Sequence, residues 1–358
     1  MAVHFHSLRI KQVQKETADC VSIVFDIPET LRDTFRFEQG QNITLKKVID
    51  GEELRRSYSI CSAPFENELR VAVKKVDGGK FSSYANEQLQ PGDSIEVLPP
   101  TGKFNCVLHP SNSKQYVAFA AGSGITPVLS IIKTTLQTEP NSRFTLVYGN
   151  RNRNSIIFFE ELEGLKNRFL RRFNFINVLS REIADAPINS GRIDTAKLED
   201  LGRLVDYDNT DEYFICGPET MIFCVKDFLE ARNTDPRKIH FELFTTPGQK
   251  ASTQRTAEIK TDSGPKSRVT VKLDGRSFDF DLGFSSDTIL DAALQQGADL
   301  PYACKGGVCC TCKARLLEGQ VSMEVNWGLE QEEIEQGYIL TCQSHPTTDK
   351  VVVDFDVK

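Results

Sequence analysis

The chain has little of what would place it in a membrane or on nucleic acid. No apolar run reaches the length of a bilayer span. A formal net charge of −7 argues against a nucleic-acid binder, which needs a concentrated basic face. Met1-Ala2-Val3-His4-Phe5-His6 has no basic segment followed by an apolar one, so no signal peptide is expected and a reducing cytoplasm is the expected setting. The five histidines form no constellation, no oxygen-activating metal motif stands out, and internal repeats and low-complexity tracts are absent. What remains is globular: 358 residues, 39% hydrophobic and 26% charged, too long for one ordinary core and expected to form two or three domains.

Cysteine, in contrast, is present ten times. Cys304, Cys309, Cys312 and Cys342 follow the spacing C-x4-C-x2-C with a distant fourth, the ligand pattern of a plant-type 2Fe–2S cluster. Gly306 and Gly307 let the backbone pass close to the sulfurs and turn its N–H groups inward. Soft thiolates also suit zinc, but structural zinc favours two C-x2-C knuckles, and this segment has one. Nothing suggests the oxidising compartment that a disulfide framework requires. Ligation through Cys310 in place of Cys309 would give C-x5-C-x1-C and crowd two ligands together, so Cys310 is expected to be a small bystander. Such a cluster moves single electrons, so the chain must also hold a donor and meet an acceptor.

Upstream, the pattern changes twice. From about Phe5 to Leu108, short β-like runs (Cys20–Ile27, Gln41–Leu45, Leu69–Lys74, Ser94–Val97) alternate with turns such as Asp50-Gly51 and Asp77-Gly78-Gly79, which predicts a closed antiparallel barrel. From Tyr116 to about Phe244, apolar runs at Tyr116–Ala121, Phe144–Tyr148, Asn174–Leu179 and Glu212–Cys216 are separated by helical stretches such as Pro127–Leu136 and Thr220–Ala231. That predicts a parallel sheet with ligands at the carboxyl ends of its strands. Thr245 to Arg268 reads as a linker whose ends lie about 25 Å apart by flexible-chain statistics. Beyond it come a hairpin (Val269–Leu273, Ser277–Leu282), a helix at Thr288–Gln295, the ligand loop and a strand at Val351–Phe355. The expected boundaries are 1–109, 110–246, a linker at 247–267, and 268–358.

Four motifs carry ligand chemistry. In Arg56-Ser57-Tyr58-Ser59 an arginine suits a pyrophosphate, a tyrosine ring an isoalloxazine face, and a hydroxyl the flavin edge. Gly79-Lys80-Phe81-Ser82 opens a helical run and makes a candidate phosphate cradle. Gly122-Ser123-Gly124-Ile125-Thr126-Pro127 joins a strand to a helix, but lacks the third glycine of the dinucleotide fingerprint. Cys216-Gly217-Pro218 ends a predicted strand, as does Tyr148-Gly149-Asn150-Arg151. Ser180-Arg181 ends another, where a cation suits the 2′-phosphate of NADPH, with Arg151 and Arg192 as helpers.

In this order and spacing the motifs resemble the ferredoxin–NADP reductase superfamily over roughly the first 245 residues. The resemblance implies a multi-domain chain: an antiparallel β-barrel flavin domain, an α/β parallel-sheet nicotinamide domain and an α+β, β-grasp ferredoxin domain. It further implies that Arg56, Ser57, Tyr58 and Ser59 hold FAD, with Lys74, Gly79, Lys80, Phe81 and Ser82 around its phosphates. Gly122, Ser123, Gly124, Thr126, Cys216 and Gly217 would then face the nicotinamide, Glu242 and Phe244 would lie near the flavin, and Ser59, Thr126, Cys216 and Glu242 would form the catalytic set.

The domain order resembles the reductases of multicomponent oxygenases. The stretches Gly51–Cys61, Ala121–Pro127, Ser286–Leu294 and Val351–Asp356 narrow the likeness to the branch serving phenylacetate degradation. By that likeness NADPH reduces FAD with a hydride, FAD passes electrons singly to the 2Fe–2S cluster, and a di-iron oxygenase accepts them. The competing expectations are an NADH-dependent reductase of another hydroxylase, a redox sensor or electron carrier with a decayed flavin domain, and a zinc-stabilised binding module.

Overall fold

The computed structural model describes residues 4–183, 186–244 and 265–357. They form two compact units, the first built chiefly on His6–Leu54 and Tyr58–Leu243 and the second on the described part of Phe244–Lys358.

The first unit begins with β1 (His6–Thr17), β2 (Cys20–Asp26), β3 (Asn42–Ile49), β4 (Glu52–Ser59) and β5 (Leu69–Lys74). A short helix, α1 (Lys80–Glu87), and β6 (Ser94–Val97) follow. The sheet runs β4-β3-β6-β1-β2-β5, and an antiparallel bridge from Ile60, just past β4, to Val71 of β5 brings its two edges together. Closure removes the exposed edges of an open sheet. β-Branched and leucine side chains, among them Leu8, Ile10, Ile23, Ile43, Leu45, Val71, Val73, Ile95 and Val97, fill the interior with Phe81 of α1.

The same unit continues with β7 (Gln115–Ala121), α2 (Ile125–Thr138), β8 (Arg143–Asn150), α3 (Phe159–Arg168), β9 (Phe173–Leu179), α4 (Thr195–Leu201), β10 (Glu212–Cys216), α5 (Glu219–Ala231) and β11 (Ile239–Glu242). These strands form a parallel sheet in the order β11-β10-β7-β8-β9. The order reverses beside β7, and the carboxyl ends of β7 and β10 therefore flank a topological switch point, where such sheets bind ligands. Asp194 caps α4 by accepting from the Lys197 N–H at 2.9 Å.

The second unit holds β12 (Lys266–Leu273), β13 (Arg276–Gly283), α6 (Ile289–Gln295), β14 (Lys313–Glu318), β15 (Val321–Met323), α7 (Gln331–Glu335), β16 (Tyr338–Leu340), β17 (Ser344–Pro346) and β18 (Lys350–Asp354). Its main sheet is mixed, ordered β13-β12-β18-β14-β16, with β12 parallel to β18 and the other pairs antiparallel. Ile289, Leu290 and Ala293 of α6 pack on the sheet's apolar face, giving the expected grasp-like α+β layer. Thr288 caps α6 through the Asp291 N–H. The expected linker lies outside the described residues except at its end, where Lys266 and Ser267 already pair with Gly283 and Leu282 in β12.

Candidate functional site

The R-S-Y-S motif occupies the end of β4. Arg56 is exposed, Ser57 and Tyr58 are half-buried and Ser59 is buried. Phe81 sits beneath Tyr58 with ring centroids 5.7 Å apart. Phe81 is therefore a core residue supporting the tyrosine, and its backbone N–H lies in the first turn of α1, where helix N–H groups have no intrahelical partner. Ser82 is likewise turned inward: its hydroxyl accepts from the Val76 N–H at 3.0 Å and donates to the Gly79 carbonyl at 3.1 Å, holding the turn that precedes α1. A Cβ on Gly79 would fall 2.5 Å from that hydroxyl. Lys80 is exposed and pairs with Glu52.

Lys74, at the end of β5, reaches toward the Gly122 turn; a Cβ on Gly122 would stand 3.7 Å from the Lys74 ammonium nitrogen. Gly122 has φ +54°, a left-handed conformation that favours glycine, and its carbonyl accepts from the Tyr148 hydroxyl at 2.8 Å. Within this turn Gly124 allows the closest approach: a Cβ there would lie 2.0 Å from the Cys216 carbonyl oxygen. A Cβ on Gly217 would meet Ala121 at 3.1 Å. The glycines thus press the G-S-G turn against the end of β10. The Thr126 hydroxyl donates to the Ser123 carbonyl at 3.0 Å, so it braces the turn.

Parallel pairing sets Cys216 beside Glu242. Glu242 accepts a hydrogen bond from the Ser59 hydroxyl at 2.9 Å, bringing the flavin motif of the barrel to the closing strand of the parallel sheet. Although the residue keeps some exposed surface, its carboxyl is enclosed. Burial pushes Glu242 up to about 7, against the opposing Ser59 hydrogen bond. Burial and the neighbouring Glu242 also hold the Cys216 thiol well above its usual range, so it stays neutral. Phe244, expected near the flavin, is 41% exposed past β11.

At the far side of the sheet, backbone hydrogen bonds tie Ser180 to Asn150 and Arg181 to Arg151, and the Gly191 N–H bonds to the Leu179 carbonyl. Arg151, Arg181 and Arg192 are exposed at or just beyond the ends of β8 and β9.

Four of the five cysteines of the second unit fall into two pairs. Cys309 interacts with Cys304, and Cys312 with Cys342. The Gly306 N–H donates to the Cys304 sulfur at 3.3 Å, and the Gln343 amide to the Cys342 sulfur at 3.8 Å. Two pairs suit the two iron atoms of a 2Fe–2S cluster. Gly307 has φ +75°, and a Cβ there would lie 2.9 Å from the Val325 carbonyl oxygen. Cys310 is half-buried with φ +47°.

Sequence reasoning did not reach the ionic contact between the barrel and the parallel-sheet half of the unit. Lys133 of α2, only 4% exposed, bonds Glu66 at 2.7 Å and Glu161 at 2.8 Å, and Arg70 makes two hydrogen bonds to Glu161 at 2.9 and 3.0 Å. The signal was a lone lysine in the apolar run Val128-Leu129-Ser130-Ile131-Ile132-Lys133.

Three family models match the chain: an oxidoreductase FAD-binding domain at residues 7–106, an oxidoreductase NAD-binding domain at 119–227 and a 2Fe–2S iron–sulfur cluster binding domain at 271–347. The chain is 47% identical to a subunit of the 1,2-phenylacetyl-CoA epoxidase of Escherichia coli strain K12, over 99% of this chain and 98% of that protein. It is 35% identical to the ferredoxin reductase component of 3-ketosteroid-9-alpha-monooxygenase of Rhodococcus rhodochrous, over 97% and 96% of the two chains. Among solved structures, phthalate dioxygenase reductase superposes with a TM-score of 0.59 at 23% identity, over 98% of each chain, which shows a shared fold.

Proposed function

We propose its function from one premise: the chain belongs to the reductase components of oxygenases, which join an FAD-binding, an NAD-binding and a 2Fe–2S domain. It is an NAD(P)H-dependent oxidoreductase that supplies electrons to an oxygenase partner. Our finer reading is that the donor is NADPH, the acceptor a di-iron oxygenase, and the final substrate phenylacetyl-CoA. The full-length likeness to the Escherichia coli epoxidase protein supports the substrate, and Arg181 beside Arg151 supports the 2′-phosphate. Ten cysteines with no disulfide among the described residues suit a reducing cytoplasm.

The contact between Ser59 and Glu242 carries the reading, because it unites the two motifs that must meet for hydride transfer. Bound FAD supplies the change from two-electron to one-electron chemistry, which neither a nicotinamide nor a 2Fe–2S cluster makes alone. In this reading Arg56, Lys74 and the first-turn amides of α1 neutralise the phosphates, and Tyr58, backed by Phe81, covers the ring. Gly124 and Gly217 clear room beside Cys216 for the nicotinamide. Glu242 and Ser59 hold a proton between Oε2 and Oγ at the edge of that cleft, and the neutral Cys216 thiol adds no charge there. Cys304 with Cys309, and Cys312 with Cys342, would each hold one iron. The domain limits at residues 109, 246 and 268 belong to the same reading.

Anaerobic mixing with NADPH or NADH, followed in the flavin and cluster absorption bands, tests the donor. NADPH is expected to bleach both bands at lower concentration than NADH. Mixing with a purified phenylacetyl-CoA epoxidase oxygenase should couple NADPH oxidation to epoxide formation. No bleaching by either nucleotide in flavin-loaded protein would sink the reading.

A further inference from the structure

Thr126, Ser130 and Lys133 are spaced i, i+4 and i+7 along α2 and so lie on one helix face. Thr126 stands at the nicotinamide end of that face. The Ser130 hydroxyl donates to the Ser62 carbonyl at 2.7 Å, and Lys133 bonds Glu66 at 2.7 Å. Ser62 follows Ser59 by three residues in the segment that leaves β4. One face of α2 is thus riveted at two points to the stretch that carries the flavin-edge serine.

The rivets are themselves braced. The Ser62 hydroxyl donates to the Glu68 carbonyl at 2.6 Å and accepts from the Arg70 N–H at 3.1 Å. Glu66 also accepts from the Ala63 N–H at 2.7 Å. Behind Lys133, Glu161 of α3 accepts from both Lys133 and Arg70. Burial raises the Glu161 pKa, but Lys133 and Arg70 outweigh it and leave the carboxyl below its usual range. Glu161 therefore stays ionised and keeps both cations engaged.

We propose that Lys133, with Ser130, is a positioning residue for hydride transfer: it fixes α2 against the Ser62–Glu66 segment and so sets the gap between the flavin wall at Ser59 and the nicotinamide wall at Gly122–Thr126. This rests on the reading of the cleft as the nicotinamide–flavin site. A strong dependence is expected because hydride transfer is steep in distance, and a 1 Å displacement costs about 100-fold in rate. Such a bond between a helix and the opposite wall fixes separation in a way apolar packing does not, since charge-assisted hydrogen bonds are directional.

The test uses the flavin-loaded, full-length protein with Lys133→Met, Lys133→Arg and Glu66→Gln. Three readings are taken: the rate of flavin bleaching by saturating NADPH in stopped flow, the long-wavelength charge-transfer absorbance of the nicotinamide–flavin complex, and amide hydrogen exchange over residues 125–138. Lys133→Met is expected to slow bleaching about 10- to 100-fold at saturation, to weaken the charge-transfer band and to speed exchange in α2. Lys133→Arg should restore most of the rate. Glu66→Gln keeps the side-chain shape and serves if Lys133→Met fails to retain flavin; it should show the same pattern with a smaller loss. Wild-type bleaching rate and charge-transfer band in Glu66→Gln, or in a flavin-retaining Lys133→Met, would overturn the proposal. Wild-type protein that binds flavin but is not bleached would instead overturn the reading of the cleft, and the proposal with it.

Discussion

The Ser59 hydroxyl donates to Glu242 Oε2 across 2.9 Å, although the two residues stand 183 positions apart in the chain. The barrel contributes the donor and the last strand of the parallel sheet the acceptor, so neither domain alone completes this pair.

The bond has a measurable consequence in pH. Glu242 moves from 4.5 to about 7 on folding. Between those values the folded chain holds a proton that the unfolded chain has released, so stability falls as pH rises through the window. The expected loss is about 2–3 kcal/mol from pH 4.5 to pH 7, an upper figure for a residue that keeps some exposed surface. Urea unfolding of flavin-free protein at pH 5 and pH 7 measures it. Glu242→Gln should flatten this part of the pH dependence, and an unchanged slope would remove Glu242 as its source.

Gly124 marks the tightest backbone approach among the glycines of the cleft. Gly124→Ala would drive a methyl group to within 2.0 Å of the Cys216 carbonyl oxygen, and backbone cannot swing aside as a side chain does. The expected cost is about 1–3 kcal/mol of stability, with weakened nicotinamide binding. Thermal unfolding and NADPH titration check both, and a variant indistinguishable from wild type would contradict the approach.

Arg181 is exposed just beyond β9, hydrogen-bonded through its backbone to Arg151. If it receives the 2′-phosphate, Arg181→Ala raises the KM for NADPH about 10-fold and leaves that for NADH nearly unchanged, as loss of one charge-assisted contact implies. Equal changes for the two nucleotides would point to general electrostatics.

Cys309 and Cys310 are neighbours with different fates. Cys309→Ala should abolish the visible absorption of the cluster, and Cys310→Ala should preserve it. Because Cys310 holds φ +47°, Cys310→Gly should also relieve strain and raise the thermal midpoint of the holoprotein. Loss of the spectrum in Cys310→Ala would reassign the ligand.

Local patterns in the chain made much of this architecture legible. Leu69–Lys74 and Glu212–Cys216 are strands with the expected ends, because short apolar runs between turn signals have one good solution. The 2Fe–2S domain was equally readable from cysteine spacing. Side-chain direction was not. Phe81 and Ser82 follow a glycine-rich turn that suggests phosphate, yet the ring is claimed by the barrel core and the hydroxyl by that turn. Lys133, Glu161 and Arg70 were illegible as a group, since they meet only when two separate sheets pack together. The short strands β15 and β17 pair across 21 to 25 residues and have too little periodicity to announce themselves.

The central strand of the ferredoxin sheet, β18, lies between β12 and β14 and is made after all four cysteines. Loss of pairing along either side of β18 would therefore split the sheet, parting β12 and β13 from β14 and β16.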